Sequence, residues 1–177
     1  MGFFVAALAL FWIDQRGLKE QFTDKTGPAP LENIQAADLR KIEIIKGSQV
    51  LKLERASEKE SWSLPGKWPT RAQEVNKTID ILLGLRSRFA PVKDKVLGSP
   101  ELVVKLTWQK PGSQSPENIT LEFETETVAN IENRFSLPTF VRVKDKNIVL
   151  RMGPGLVAAL DHPVDFFQQR RLFQGER

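Results

Sequence analysis

Between Arg40 and Leu150 the sequence keeps returning to a period of two. Leu102, Val104, Leu106 and Trp108 alternate with mostly polar neighbours, and Ile119, Leu121 and Phe123 alternate with Thr120, Glu122 and Glu124. Successive side chains of a strand point to opposite faces, so this pattern specifies sheet with one buried and one solvated face. Turn-forming residues separate the runs. Arg40 to Arg55 reads as a hairpin, with Ile42, Ile44, Val50, Leu51 and Leu53 as its apolar positions and Gly47-Ser48 as its turn. The strands around Leu102 and Ile119 pair across a Pro-, Gly- and Ser-rich loop from Lys110 to Asn118. Phe140–Val143 and Ile148–Leu150 form a third hairpin around Asp145-Lys146-Asn147.

Two segments change to helical spacing. Thr70-Arg71-Ala72-Gln73 has the form of a capping box, in which Thr70 and Gln73 would each satisfy a free N–H of the other. Val75, Ile79, Leu82 and Leu83 follow at the spacing of one helix face, and the helix is expected to end near Arg88, before Pro91. The stretch from Ala56 to Thr70 is expected to be irregular, because Pro65-Gly66 and Pro69 punctuate it, with Trp62 folded over the sheet edge as a lid. A second, shorter helix starts at Gly153-Pro154, uses Leu156, Val157 and Leu160 as its apolar positions and stops at His162-Pro163. Val164 to Phe173 reads as a last helical turn with an extended tail. The order is hairpin, helix, hairpin, hairpin, helix. It predicts an α+β class, a largely antiparallel sheet built from hairpins with two packing helices. No strand runs into a Gly-rich loop and helix, which disfavours a nucleotide-binding α/β fold.

Composition narrows the chemistry. With 41% hydrophobic residues in 177, the chain has material for a core, and that core must be aliphatic and Phe-based, since there are 11 Phe and 4 Trp but no Tyr. Cysteine is absent, which excludes disulfides, thiolate nucleophiles and Cys-ligated metal sites. The net charge of +4 is spread thinly: Lys52-Leu53-Glu54-Arg55 and Lys93-Asp94-Lys95 interleave both signs. The densest basic stretches, Arg86 with Arg88 and the pair Arg170-Arg171, are short, so nucleic acid is not an expected partner.

The first residues stand apart. Gly2 to Ile13 is an uninterrupted apolar run, closed by Asp14, Arg16 and Lys19 with Phe11 and Trp12 at the junction. A bilayer needs about 20 apolar residues to be crossed, and the run has neither a basic leader nor a small-residue cleavage site. It fits the later part of a transmembrane anchor that begins upstream, an interfacial or signal-like segment, or a buried helix. Aromatics at the polar boundary and the absence of a polar face favour the anchor. The expected organisation is a hydrophobic N-terminal helix over 1–22, a linker over 23–30 containing Gly27-Pro28-Ala29-Pro30, and an α+β domain over 31–177.

No catalytic set emerges. The single His, His162, lies between Asp161 and Pro163, where interaction of its cation with a helix C-terminus accounts for it as well as a proton relay does. Glu122, Glu124 and Glu126 alternate along a strand, and the expected reading is the solvated face of an edge strand rather than a cation site. Gly153-Pro154-Gly155 lacks the Lys-Ser/Thr of a phosphate loop, and no Ser has a nucleophile-elbow context. Asn76-Lys77-Thr78 and Asn118-Ile119-Thr120 match glycosylation sequons, the first inside a helix. Phe166, Phe167, Leu172 and Phe173 surround Arg170-Arg171 and read as core packing with outward Arg, or as a docking segment. No catalytic, cofactor-binding or metal-ligating residue is assigned, and neither a cofactor nor a small-molecule ligand is expected.

Leu39–Ile44, Val50–Arg55, Trp62-Ser63-Leu64 and Ile79–Leu85, followed by Phe140–Val143 and Val164–Phe173, carry a resemblance in their order and spacing. Together they resemble the bacterial family called domain of unknown function 4340, over most of Leu31 to Phe173. The resemblance implies an N-terminal transmembrane helix and an extracytoplasmic α+β region at the bacterial cell membrane. It also implies an auxiliary role beside ABC-type transport or gliding-motility complexes, whose subunits would be the protein partners. It supplies no catalytic residues. The expected function is therefore a non-enzymatic membrane-anchored module, attached through residues 2–13. A soluble enzyme with a dispersed site and a weak nucleic-acid binder are its rivals.

Overall fold

Alternation becomes sheet throughout the part of the chain that the computed structural model describes, residues 29–92, 95, 97–113, 115–126 and 137–169. The elements are β1 (Leu39–Lys46), β2 (Gln49–Glu54), β3 (Ser63–Leu64), β4 (Trp68–Pro69), α1 (Ala72–Leu83), β5 (Leu102–Trp108), β6 (Glu117–Thr125), β7 (Thr139–Val143), β8 (Ile148–Met152), α2 (Leu156–Leu160) and α3 (Val164–Phe167). All eight strands form one antiparallel sheet in the order β4-β3-β2-β1-β5-β6-β7-β8. Two four-strand meanders thus stand back to back, joined where β1 pairs with β5, and α1 lies on the long connection between them. The class is α+β, as the alternation of hairpins and helices predicts.

The register places the apolar positions on one face. Ile44 lies opposite Leu51 and Val104, Val104 opposite Leu121, Leu121 opposite Val143, and Phe123 opposite Leu102 and Val141. Over this face lies α1, whose Val75, Thr78, Ile79 and Leu82 form a stripe spaced three and four residues apart, together with Leu160 of α2 and Phe167 of α3. Each fully buried side chain of this size contributes roughly 1.5–3 kcal/mol. The C-terminal helices cross back to the far edge: the Arg71 N–H donates to the Phe167 carbonyl at 2.7 Å, and the Gln169 N–H donates to Pro69 at 3.0 Å.

The turns have local causes. Gly47 carries a φ of +56° at the first position of the two-residue β1–β2 loop, which glycine adopts without steric cost. Between β7 and β8, a 3-10 turn over Lys144–Lys146 closes on Asn147, whose left-handed conformation asparagine tolerates.

The connection from α1 to β5 works as a strap around the sheet edge. The Ser87 hydroxyl, fully buried, lies 2.9 Å from the Arg151 carbonyl on β8, and the Val92 N–H donates to Val149 at 2.9 Å. Beyond the edge, Leu97 packs with Phe140 and Val149 on the opposite face, and the Lys95 ammonium sits 3.3 Å above the Phe140 ring. The strap covers an edge strand that would otherwise offer free backbone groups.

Several expectations need correction. Thr70 does not cap α1: its hydroxyl donates to the Trp62 carbonyl at 2.8 Å, and the N-cap is Arg71 with no side-chain cap bond. The helix stops at Leu83 rather than near Arg88, with Gly84 as its C-cap. The stretch up to Thr70 is not wholly irregular, since β3 and β4 form a small hairpin in which Gly66 and Lys67 both take positive φ. Trp62 is buried in the main core beneath the Arg55 guanidinium, which lies 4.8 Å from its ring. The expected N-terminal helix over 1–22 and the residues after Gln169, including Leu172 and Phe173, lie outside the described residues.

Gly84 offers a local test. A Cβ there would come 2.7 Å from the Asp80 carbonyl oxygen, closer than real Cβ atoms approach backbone. Glycine-to-alanine changes at compatible sites stabilise by about 0.4–1 kcal/mol. Gly84→Ala is expected to do the opposite, lowering stability by about 1 kcal/mol or more in urea unfolding. A stabilised variant would refute the close approach.

Candidate functional site

Three features of this scaffold bear on function: a cleft at one end of the sheet, the uncovered sheet face, and the side chains singled out by the sequence.

The cleft lies where β1 ends, β5 begins and β6 ends, against the start of α2. It encloses about 270 Å³ and is lined by Lys46, Glu101, Thr125, Gly155, Val157, Ala158 and Asp161. That is below the roughly 300–1,000 Å³ usual for ligand pockets, and the cleft is open to solvent. Its charges are already matched to partners. Lys46 pairs with Asp161 across the mouth, and the Glu101 carboxylate lies 3.4 Å from both the N–H and the hydroxyl of Thr125. The Gly155 φ of +78° lets the chain turn into α2 beside it. The lining offers one cation, two carboxylates and a hydroxyl, without an imidazole to act as base.

The other face of the sheet is a charge mosaic. Glu43 is its centre: Lys41 lies 3.0 Å away and Lys52 3.6 Å away, while Lys41 also reaches Glu54 at 3.7 Å. Burial acts to raise the Glu43 carboxyl, but the Lys41 hydrogen bond and the charges of Lys41, Lys52 and Lys105 outweigh it and hold it below its ordinary value. Lys41 is held above its ordinary value, chiefly by that hydrogen bond. One apolar row, Val50, Ile45 and Val103, crosses the mosaic from β2 to β5.

Glu122, Glu124 and Glu126 are not on an edge. β6 lies between β5 and β7, because the α1 crossover brings β5 beside β1 and leaves the later meander to extend outward. Each carboxylate has a partner. Glu122 takes a two-nitrogen contact from Arg142, directly opposite in register, at 2.5 and 2.6 Å. Glu124 accepts the Gly98 N–H at 2.8 Å, anchoring the strap, and Glu126 pairs with Lys95 at 3.4 Å. Among the described residues no group of three or more His, Asp or Glu is placed to hold a metal.

His162 stacks on Phe166 with ring centroids 4.0 Å apart, and Phe166 meets Phe167 edge-on at 5.1 Å. The ring thus belongs to an aromatic cluster beneath the C-terminal turn, and its neighbour Asp161, rather than His162 itself, lines the cleft. Asn76 is exposed on α1 while Thr78 is buried and donates its hydroxyl to the Glu74 carbonyl at 3.0 Å. Sequence reasoning missed the cleft, because Lys46 at the end of β1, Glu101 before β5 and Asp161 after α2 are distant in sequence and meet only in the fold. It also missed the strap, whose residues show no periodicity.

Among the described residues, no helix is long and apolar enough to cross a membrane. No protein-family model, curated protein or solved structure matches the chain.

Proposed function

We propose that the chain is a non-enzymatic, membrane-anchored extracytoplasmic module, tethered through residues 2–13 and accessory to an ABC-type transport or gliding-motility complex. The observation that carries this reading is the apolar run from Gly2 to Ile13, with Phe11 and Trp12 against a charged boundary. The resemblance to domain of unknown function 4340 supports the placement and the accessory role. The arrangement of charge agrees with it: in the cleft Lys46 is engaged with Asp161 and Glu101 with Thr125, and the mosaic around Glu43 is the kind of polar surface that sets partner choice. Fifteen residues, Asp14 to Pro28, separate the run from Ala29, the first of the described residues, and a fully extended chain of that length reaches about 50 Å.

Cell fractionation tests the tether. The full chain is expected in the membrane pellet, resistant to an alkaline carbonate wash. Recovery in the soluble fraction would overturn the proposal.

A further inference from the structure

We infer that the loop from Arg86 to Pro91 is a second membrane contact, one that docks the folded domain onto an anionic lipid surface. This rests on the proposed tether, which brings the domain within reach of a bilayer.

The loop is tied to the sheet edge through Ser87. Ser87 points inward, where its hydroxyl lies within hydrogen-bond reach of the Phe89 and Arg151 carbonyls, at 2.8 and 2.9 Å, and accepts the Phe89 N–H at 3.1 Å. Its neighbours Arg86 and Arg88 are turned to solvent, and Phe89 keeps half of its surface exposed. Arg151, exposed on β8, stacks over the Phe89 ring at 4.8 Å. Arg151 thus stacks on the half-exposed Phe89, and the same loop carries the exposed Arg86 and Arg88. Among the described residues none of the three is ion-paired with a carboxylate. With three exposed guanidiniums and no ion-paired carboxylate among the described residues, this corner is a positive patch around an exposed ring.

An anionic bilayer surface fits it on both counts. Guanidiniums near such a surface are attracted by its potential, and an aromatic ring beside them enters the interfacial layer. A nucleic acid would need a longer basic track with several stacking platforms, and the mosaic beyond the loop carries carboxylates.

The absence of cysteine makes a direct test possible. The full chain carrying Ala90→Cys, labelled with an environment-sensitive dye, is mixed with vesicles of phosphatidylcholine alone or with added phosphatidylglycerol. The same label at Ala56→Cys, on the exposed β2–β3 loop, is the control. Flotation with both vesicle types reads the tether; dye emission reads the loop. Emission at position 90 is expected to rise only on anionic vesicles, and position 56 to stay unchanged. With Arg86→Gln and Arg88→Gln, about 30-fold more anionic lipid is expected for half-maximal emission. Phe89→Ser keeps the charge and is expected to lower the emission rise without abolishing the lipid preference. Flotation with no rise at position 90 overturns the loop contact while leaving the tether standing, and loss of flotation from both vesicle types removes the tether. A rise caused by generic duplex DNA and not by vesicles overturns it in favour of a nucleic acid.

Discussion

Phe123→Ala is expected to lower the unfolding free energy by about 3–5 kcal/mol, because it removes a large side chain from the centre of a close-packed core. Phe123 is fully buried on β6, an interior strand, with Leu102 and Val141 directly opposite on its two neighbours. Strands on both sides hold the backbone in register, so the surroundings cannot collapse into the vacated space, and the cavity term adds to the lost transfer free energy. With urea slopes of about 1–3 kcal/mol per molar, the midpoint should fall by roughly 2 M. That is a large part of the 5–15 kcal/mol typical of a domain. Val50→Ala, on the open face with 47% exposure, is the internal control and should stay within about 0.5 kcal/mol of the parent. If the two variants lost equal stability, the assignment of the buried and open faces would be wrong.

Arg55→Ala is expected to be nearly as costly, for a polar reason. The Arg55 guanidinium donates to the Leu39 carbonyl at 2.8 Å, to Ala37 at 3.0 Å and to Ala36, while lying over Trp62. It thereby gathers the carbonyls of the turn that leads into β1 and caps a buried tryptophan. Burial and the nearby Arg40 charge both pull its pKa below the ordinary value. Arg40 also reaches the carbonyls of Ala37 and Leu39, at 2.7 and 3.0 Å, so only the solvent-exposed Ala36 carbonyl is left to water by the substitution. Charged hydrogen bonds and a stacked guanidinium together suggest a loss of about 2–3 kcal/mol. Arg55→Lys should recover less than half of it, because one ammonium cannot span three carbonyls. Chemical denaturation gives the totals. Faster amide exchange at Ile34 and Asp38, whose N–H groups bond to Leu31 and Gln35, would place the loss at this turn. A lysine variant as stable as the parent would contradict the fork geometry.

The hairpins were legible because alternation and turn chemistry agreed: Gly47-Ser48 and Asp145-Lys146-Asn147 sit where the apolar runs stop, and the structure turns there. Other features depended on contacts distant in the chain. Thr70 and Gln73 have the spacing of a capping box, yet the Trp62 carbonyl claims the Thr70 hydroxyl eight residues away. Two-residue strands such as β3 and β4 are too short to show a period. Strand order was hidden as well, so Glu122, Glu124 and Glu126 were placed at an edge when their strand is interior. The cleft was illegible for the same reason, since Lys46 and Asp161 are separated by almost the whole described chain. The loop of Arg86 and Arg88 was visible as a short basic stretch, but the Arg151 guanidinium stacked on its Phe89 comes from β8, distant in sequence, and only the fold reveals it.

The central claim is that Gly2–Ile13 tethers the domain to a membrane without serving as part of its core. The most direct measurement is the membrane partition of Ala7→Asp combined with Leu8→Asp, made together with the thermal transition of the domain. Each acidic residue costs about 2.5–3.5 kcal/mol at the centre of an inserted helix. The account predicts that the parent chain is membrane-bound, and that the variant moves to the soluble fraction with its transition unchanged. A variant that stays in the membrane, or one that loses the transition because the run packs on the domain, would contradict it.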